Sequence, residues 1–125
     1  MSNFSEYLLI FIGGGLGSIL RFGLGKWITV SFPSLFPWGT WWVNFLGSLL
    51  IGIIITYTTK HPHLQHYKLF LATGFCGGFT TFSTFSYENW SLWTKGDYFT
   101  SFIYTSSSVF LGIMAAMFGA YLLKE

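Results

Sequence analysis

Charge is what this chain has least of. Six of its 125 residues are Lys or Arg and four are Asp or Glu, 8% in all, against 52% apolar and 22% aromatic. A soluble domain carries about 25% charged residues. The composition therefore excludes an ordinary soluble domain and indicates an integral membrane protein. The net charge of +2 is too small to draw a nucleic acid. One cysteine excludes an internal disulfide, and Cys76, beside a glycine pair at membrane depth, reads as a small apolar residue.

Site chemistry of the common kinds is missing as well. Gly13 and Gly15 have no third glycine at position 18, and Gly25-Lys26-Trp27 lacks the Ser or Thr of a phosphate loop, so no nucleotide site is indicated. The first apolar stretch is too long for the core of a secretory signal and ends on no small-residue cleavage site, so it is expected to stay attached. The only histidine cluster, His61, His63 and His66, has no Cys, Asp or Glu nearby to complete a metal site, and Pro62 marks a turn. It reads as a solvated loop. No metal or nucleophile constellation supports a membrane enzyme.

What is present is apolar length. Stretches at roughly 7–30, 38–59, 67–90 and 98–123 can each cross a bilayer as a helix of about 20 residues. Short loops join them, so the reading is an all-α membrane protein, one unit of four transmembrane helices. Arg21, Lys26 and Lys95 fall on one side of the membrane, and Lys60, Lys68 and Lys124 on the other. Topology follows an excess of cytoplasmic Lys and Arg, and an even split predicts a chain that inserts both ways up. Trp27, Trp38, Trp41, Trp42, Trp90 and Trp93 all lie towards one end of the helices, whereas aromatic belts normally occur at both interfaces. An antiparallel pair of chains would restore the second belt. An inverted homodimer is expected, and an inverted paralogue as partner satisfies the same argument.

The third stretch departs most from a plain lipid-facing helix. It contains Gly74-Phe75-Cys76-Gly77-Gly78-Phe79-Thr80-Thr81-Phe82-Ser83-Thr84-Phe85-Ser86. Two adjacent glycines cost roughly 1 kcal/mol each relative to Ala, and the hydroxyls can replace helix hydrogen bonds, so a break near the middle is predicted. Unwound backbone at membrane depth is tolerated where it is buried or lines a wet cavity, and its carbonyls become available to a cation. Phe82 and Phe85 share a face, with Thr81/Thr84 and Ser83/Ser86 as polar rows beside them. Ring edges flanked by hydroxyl donors can hold a small anion. The same spacing also fits a Phe75, Phe79, Phe82 stripe that merely packs.

Elsewhere, Arg21 is the one permanent charge well inside an apolar stretch and is a functional candidate on that ground. Gly13/Gly17 and Gly14/Ser18 give the small-residue spacing of closely packed membrane helices. Thr40, Asn44 and Ser48 stack on one face of the second helix. Asn44 fits either interhelical hydrogen bonding or pore lining. Glu88 is placed at the interfacial end of the third helix, where a carboxylate stays hydrated. Tyr104, Ser108, Gly112, Ala115 and Gly119 form a small-residue face on the last helix.

The thirteen-residue run from Gly74, followed by Glu88, resembles the signature of the CrcB/Fluc fluoride channels. Gly-Gly-Gly-Leu-Gly-Ser-Ile-Leu-Arg-Phe and Gly-Thr-Trp-Trp-Val-Asn-Phe-Leu-Gly-Ser resemble the motifs of that family's first and second helices, and the likeness covers essentially the whole chain. It departs at Ser18, Phe22, Trp41 and Trp42, and at Gly112, where some relatives carry a hydroxyl. The resemblance implies a passive, selective fluoride channel of the cell membrane that exports the ion from the cytoplasm. It implies a dual-topology dimer with two pores, each lined by both subunits. Phe82, Phe85, Asn44, Thr40, Ser83, Thr84, Tyr104 and Ser108 would line the pore and Arg21 a vestibule. A structural sodium ion would be held by backbone carbonyls matching Gly77 and Thr80. Glu6, Glu88, Asp97 and Glu125 lie near helix ends or in loops, which leaves no coupling carboxylate at mid-membrane and suits passive flow. The rival readings are a small multidrug exporter, for which the first helix offers only Glu6, and a non-transporting assembly subunit, which leaves Asn44 and the hydroxyl rows unexplained.

Overall fold

The computed structural model describes residues 3–124, and Glu125 lies outside them. Among the described residues the fold is helical throughout, with no strand. Helix α1 spans Asn3–Ser31 and α2 spans Trp38–Lys60. A 3₁₀ turn, Pro62–Leu64, leads into the short α3, Gln65–Lys68, and then a π-helical segment, Leu69–Cys76. One turn of α4, Gly77–Phe79, precedes an interruption at Thr80 and Thr81. Helix α5 spans Phe82–Thr94 and α6 spans Tyr98–Leu122. Three helices, α1, α2 and α6, are long and apolar enough to cross a membrane. At about 1.5 Å per residue, the 29 residues of α1 extend well beyond a hydrocarbon core of about 30 Å.

Helix packing follows the glycines. A Cβ on Gly13 would meet the backbone of Phe70, Gly74 and Phe75, and one on Gly17 the backbone of Phe75 and Phe79. Gly78 lies equally tightly against Gly14. With no side chain between them, α1 and the π-helical segment pack backbone to backbone, the contact that small residues permit. The buried residues of the wide π turns, Ala72, Gly74 and Cys76, are themselves small. On the other side of the molecule, Gly52 meets Ala116 and Gly119 meets Leu49 and Ile53. Position 112 faces Ser48, Gly52 meets Ala116 and Lys60 reaches Leu123, pairings that rise together along α2 and α6, so the two helices run parallel, and the segment between them returns the chain along their length.

The turn between α5 and α6 is compact because three residues share its work. Gly96 takes a left-handed φ of 78°. This closes α5 with Gly96 N–H on Trp93 O (3.0 Å) and Asp97 N–H on Leu92 O (2.9 Å). Asp97 then caps α6, its carboxylate accepting from the Thr100 N–H at 3.2 Å. At the opposite end of the molecule, Lys60 donates to the Leu123 carbonyl just past α6. Gln65 donates to Thr58 O at 2.6 Å.

The interruption lies near the middle of the third stretch, as predicted, just after the glycine pair. Gly77 and Gly78 are helical, and the chain becomes extended at Thr80 (ψ 158°) and Thr81 (φ −148°, ψ 122°). The reason is the packing just described: Gly78 serves close approach to α1, and the hydroxyls after it supply the alternative hydrogen bonds. The first helix also begins four residues earlier than predicted, and the third stretch runs on to Thr94.

Candidate functional site

Every hydrogen bond lost at the interruption has been replaced or left open in a definite way. Thr80 holds the last turn closed twice, its N–H and its hydroxyl both donating to Cys76 O at 2.9 Å. Thr81 N–H donates to Asn44 Oδ1 at 2.8 Å, and Thr81 O accepts from Asn44 Nδ2 at 3.1 Å. This pairing fixes which way the Asn44 amide faces. Thr81 Oγ1 caps α5 by accepting from Thr84 N–H at 3.1 Å. Gly78 O, deprived of its helical donor, accepts from Arg21 Nε at 3.1 Å and Ser18 Oγ at 3.4 Å. No donor among the described residues reaches the carbonyls of Gly77 or Thr80.

An open groove of about 410 Å³ runs along the interruption between α2 and α6. Asn44, Ser48, Gly77, Thr80, Phe85 and Ser108 line it, with Phe82 at its edge and no charged residue in its wall. The Phe82 and Phe85 rings are tilted at 39° with centroids 5.7 Å apart. Phe82 is 77% exposed, whereas Phe79 is 2% exposed and stacks on Phe75. The break thus takes Phe82 off the packing stripe that 3.6-residue spacing allowed. The Ser108 hydroxyl is enclosed and has no hydrogen-bond partner.

The groove's chemistry is that of neutral donors and hard oxygens. Aromatic ring edges are electropositive, a primary amide has two N–H groups of which Asn44 uses one, and Ser108 has an unused O–H. Gly77 and Thr80 contribute free carbonyl oxygens. Such a donor set is suited to a hard cation.

Residues 8–120 match the family model described as CrcB-like protein, Camphor Resistance (CrcB). The chain belongs to the CrcB family. A protein named fluoride-specific ion channel FluC from Gloeothece citriformis is 50% identical over 120 residues, 96% of this chain and 98% of that protein. Proteins of the same name from Phocaeicola vulgatus and Thermus thermophilus are 47% and 45% identical over 115 and 114 residues. These cover 92% and 91% of this chain, and 95% and 90% of the respective relatives.

In this CrcB-family chain the residues singled out from sequence fall into two groups. Asn44, Ser108, Phe82, Phe85, Gly77 and Thr80 meet at the groove. Thr40 and Tyr104 lie farther along, where both donate to Glu88, Thr40 Oγ1 to Oε2 at 2.9 Å and the Tyr104 hydroxyl to Oε1 at 2.7 Å. Tyr104 is fully buried and its ring lies 4.9 Å from that of Phe85, so the two groups are continuous. Ser83 is exposed, its hydroxyl 3.4 Å from that of Thr81, and Thr84 takes part through its backbone N–H. Arg21 binds the interruption directly.

Sequence reasoning placed Glu88 in a hydrated position. It is half-buried instead, and both of its oxygens are engaged. Its spacing of three from Phe85 was the available signal, since it puts both on one helical face. Asn89 was missed entirely. Its side-chain oxygen accepts from Ser101 (2.7 Å) and Thr105 (3.1 Å), and its nitrogen donates to Phe85 O (3.1 Å). The reasoning that flagged Asn44, that an amide in an apolar span must find partners, applies equally to Asn89.

Proposed function

We propose that this chain is a multi-pass membrane protein that conducts fluoride passively, and that the segment 62–94 provides the fourth crossing. The observation that carries the reading is the uncharged groove at the interruption, where an enclosed Ser108 hydroxyl without a partner faces the same space as the Asn44 amide and the Phe82/Phe85 rings. Fluoride is small and strongly hydrated, so a selective path must replace its water with close donors and be too narrow for larger anions. Several donors of modest strength do this without the deep trap that a fixed cation would create. The names of the relatives support the same ion, and release from the cytoplasm down its gradient is the matching physiological direction.

One chain forms only half of a pore in this account. The groove is open and Phe82 is exposed, as befits a wall that a second, inverted copy completes, giving two pores per dimer. The free carbonyls of Gly77 and Thr80 would hold a sodium ion between the copies. Such an ion would draw the carbonyl dipoles of the two copies together at the seam, while the chain orients the oxygens around it. Arg21, engaged with Gly78 O through Nε, has further N–H groups with which to favour anions in a vestibule.

The deciding measurement is fluoride efflux from liposomes containing only this protein, with chloride and Phe82→Ile as controls. Fluoride-selective efflux that falls in the variant is expected. No efflux, or equal chloride efflux, would refute the assignment. Light scattering in detergent that found one chain per particle would refute the dimer. Thermal stability unchanged on replacing sodium with a large organic cation would refute the metal.

A further inference from the structure

We propose that Ser48 is a further fluoride-binding residue, pairing with Ser108 to form a second station across a gap left by Gly112. The inference rests on the channel reading above and deepens it.

Ser48 lies one helical turn beyond Asn44 on α2, and lines the same groove as Ser108. A serine within a helix commonly turns its hydroxyl onto the carbonyl four residues back. Ser48 does not, and among the described residues its hydroxyl has no hydrogen-bond partner. Ser108 is in the same condition and is enclosed as well. The enclosed Ser108 hydroxyl is the costly one, because a buried polar group without a partner loses its water and gains nothing in return, while the Ser48 hydroxyl stands beside it in the groove free to donate. That cost is removed when a ligand accepts from both.

Gly112 provides the space. Ser108 and Gly112 are four apart on α6 and so stack on one face. A Cβ at position 112 would lie 3.6 Å from Ser48 Oγ and meet no other atom within 4 Å. Unlike Gly52 and Gly119, which are filled by neighbouring backbone, this glycine leaves room. Each serine hydroxyl has one proton to donate, and no Asp, Glu, Lys or Arg lines the groove to compete for it. A small anion passing from the Asn44 amide would find its next donors here.

The test uses the full chain in liposomes, with efflux read by a fluoride electrode and stability read by heating in detergent before size-exclusion chromatography. Ser48→Ala is expected to lower fluoride efflux about tenfold or more, the loss of one hydrogen bond to a charged ligand. Its thermal midpoint should equal that of the wild type, since the hydroxyl has no protein partner. Adding Gly112→Ser in the Ser48→Ala background returns a hydroxyl to the same gap from α6, and should recover most of the efflux. Wild-type efflux in Ser48→Ala overturns the proposal, as does a loss matched by lower stability, or no recovery in a double variant that is equally stable. Absence of fluoride efflux from the wild type overturns the channel reading itself and this inference with it.

Discussion

Asn44 and Thr81 exchange two hydrogen bonds, of 2.8 and 3.1 Å, and so one side chain on α2 substitutes for the helix that α5 does not continue. Removing it strands a backbone donor and acceptor together. Asn44→Ala should therefore destabilise the fold by about 2–6 kcal/mol, from about 1–3 kcal/mol for each of the two unsatisfied groups. Asn44→Asp keeps an acceptor for Thr81 N–H but meets Thr81 O without a donor, and should be no better. Heating in detergent, followed by the fraction remaining folded, checks both. Wild-type stability in Asn44→Ala would show that water satisfies the strand.

The first-helix glycines differ in what surrounds them. Gly17→Ala drives a methyl into the backbone of Phe75 and Phe79, and should cost about 1–3 kcal/mol as overpacking does. Gly15 has nothing within 4 Å, so Gly15→Ala should be neutral or slightly stabilising, by up to about 1 kcal/mol from helix propensity. Equal midpoints for the two variants would contradict the packing described here.

Phe82 separates flux from folding. Being largely exposed, it gives little to the packing of its own chain. Phe82→Ile should leave the monomer's helix content unchanged while cutting fluoride efflux by roughly tenfold or more, an edge interaction being lost that an aliphatic side chain lacks. Circular dichroism and efflux on one preparation read the two effects apart.

Glu88 accepts from Thr40 and Tyr104 at once. Glu88→Gln preserves the shape but replaces a charged acceptor with a neutral one and leaves a single oxygen for two donors. A loss of about 1–3 kcal/mol is expected, since hydrogen bonds to charged groups exceed neutral ones by that order. Thr40→Ala should be milder than Tyr104→Phe, because the bond from the fully buried Tyr104 is the shorter, at 2.7 Å against 2.9 Å, and its loss leaves Glu88 Oε1 without a donor where water does not reach. A reversed order in thermal midpoints would argue that Glu88 is held chiefly from α2.

Apolar length alone located α1, α2 and α6 to within a few residues, because a span must satisfy its own backbone and has few ways to do so. The interruption was legible as a composition, and its residue was not. Two glycines looked like the weak point, yet helix propensity yielded to the packing of Gly78 on Gly14. The π-helical turns left no mark in the sequence, since small residues permit them without requiring them. Asn44 was legible as a buried amide in need of partners; that both partners are atoms of Thr81 was not, because pairing across elements depends on how α2 and the interrupted segment are set together. Glu88 was misplaced for the same reason: its position along the helix was clear, but not that Thr40 and Tyr104 would converge on it.

The seam at Thr80 and Thr81 is held from two sides, Gly78 by Arg21 and Ser18 of α1, Thr81 by Asn44 of α2. Those holding groups are made first by the ribosome. Until the third segment enters, a guanidinium and a carboxamide sit in lipid unanswered, an arrangement costly enough to favour rapid capture of the incoming chain. Biogenesis is thereby biased towards completion, and a translation product truncated after Lys60 should be cleared by membrane proteases faster than the same truncation carrying Arg21→Leu and Asn44→Leu.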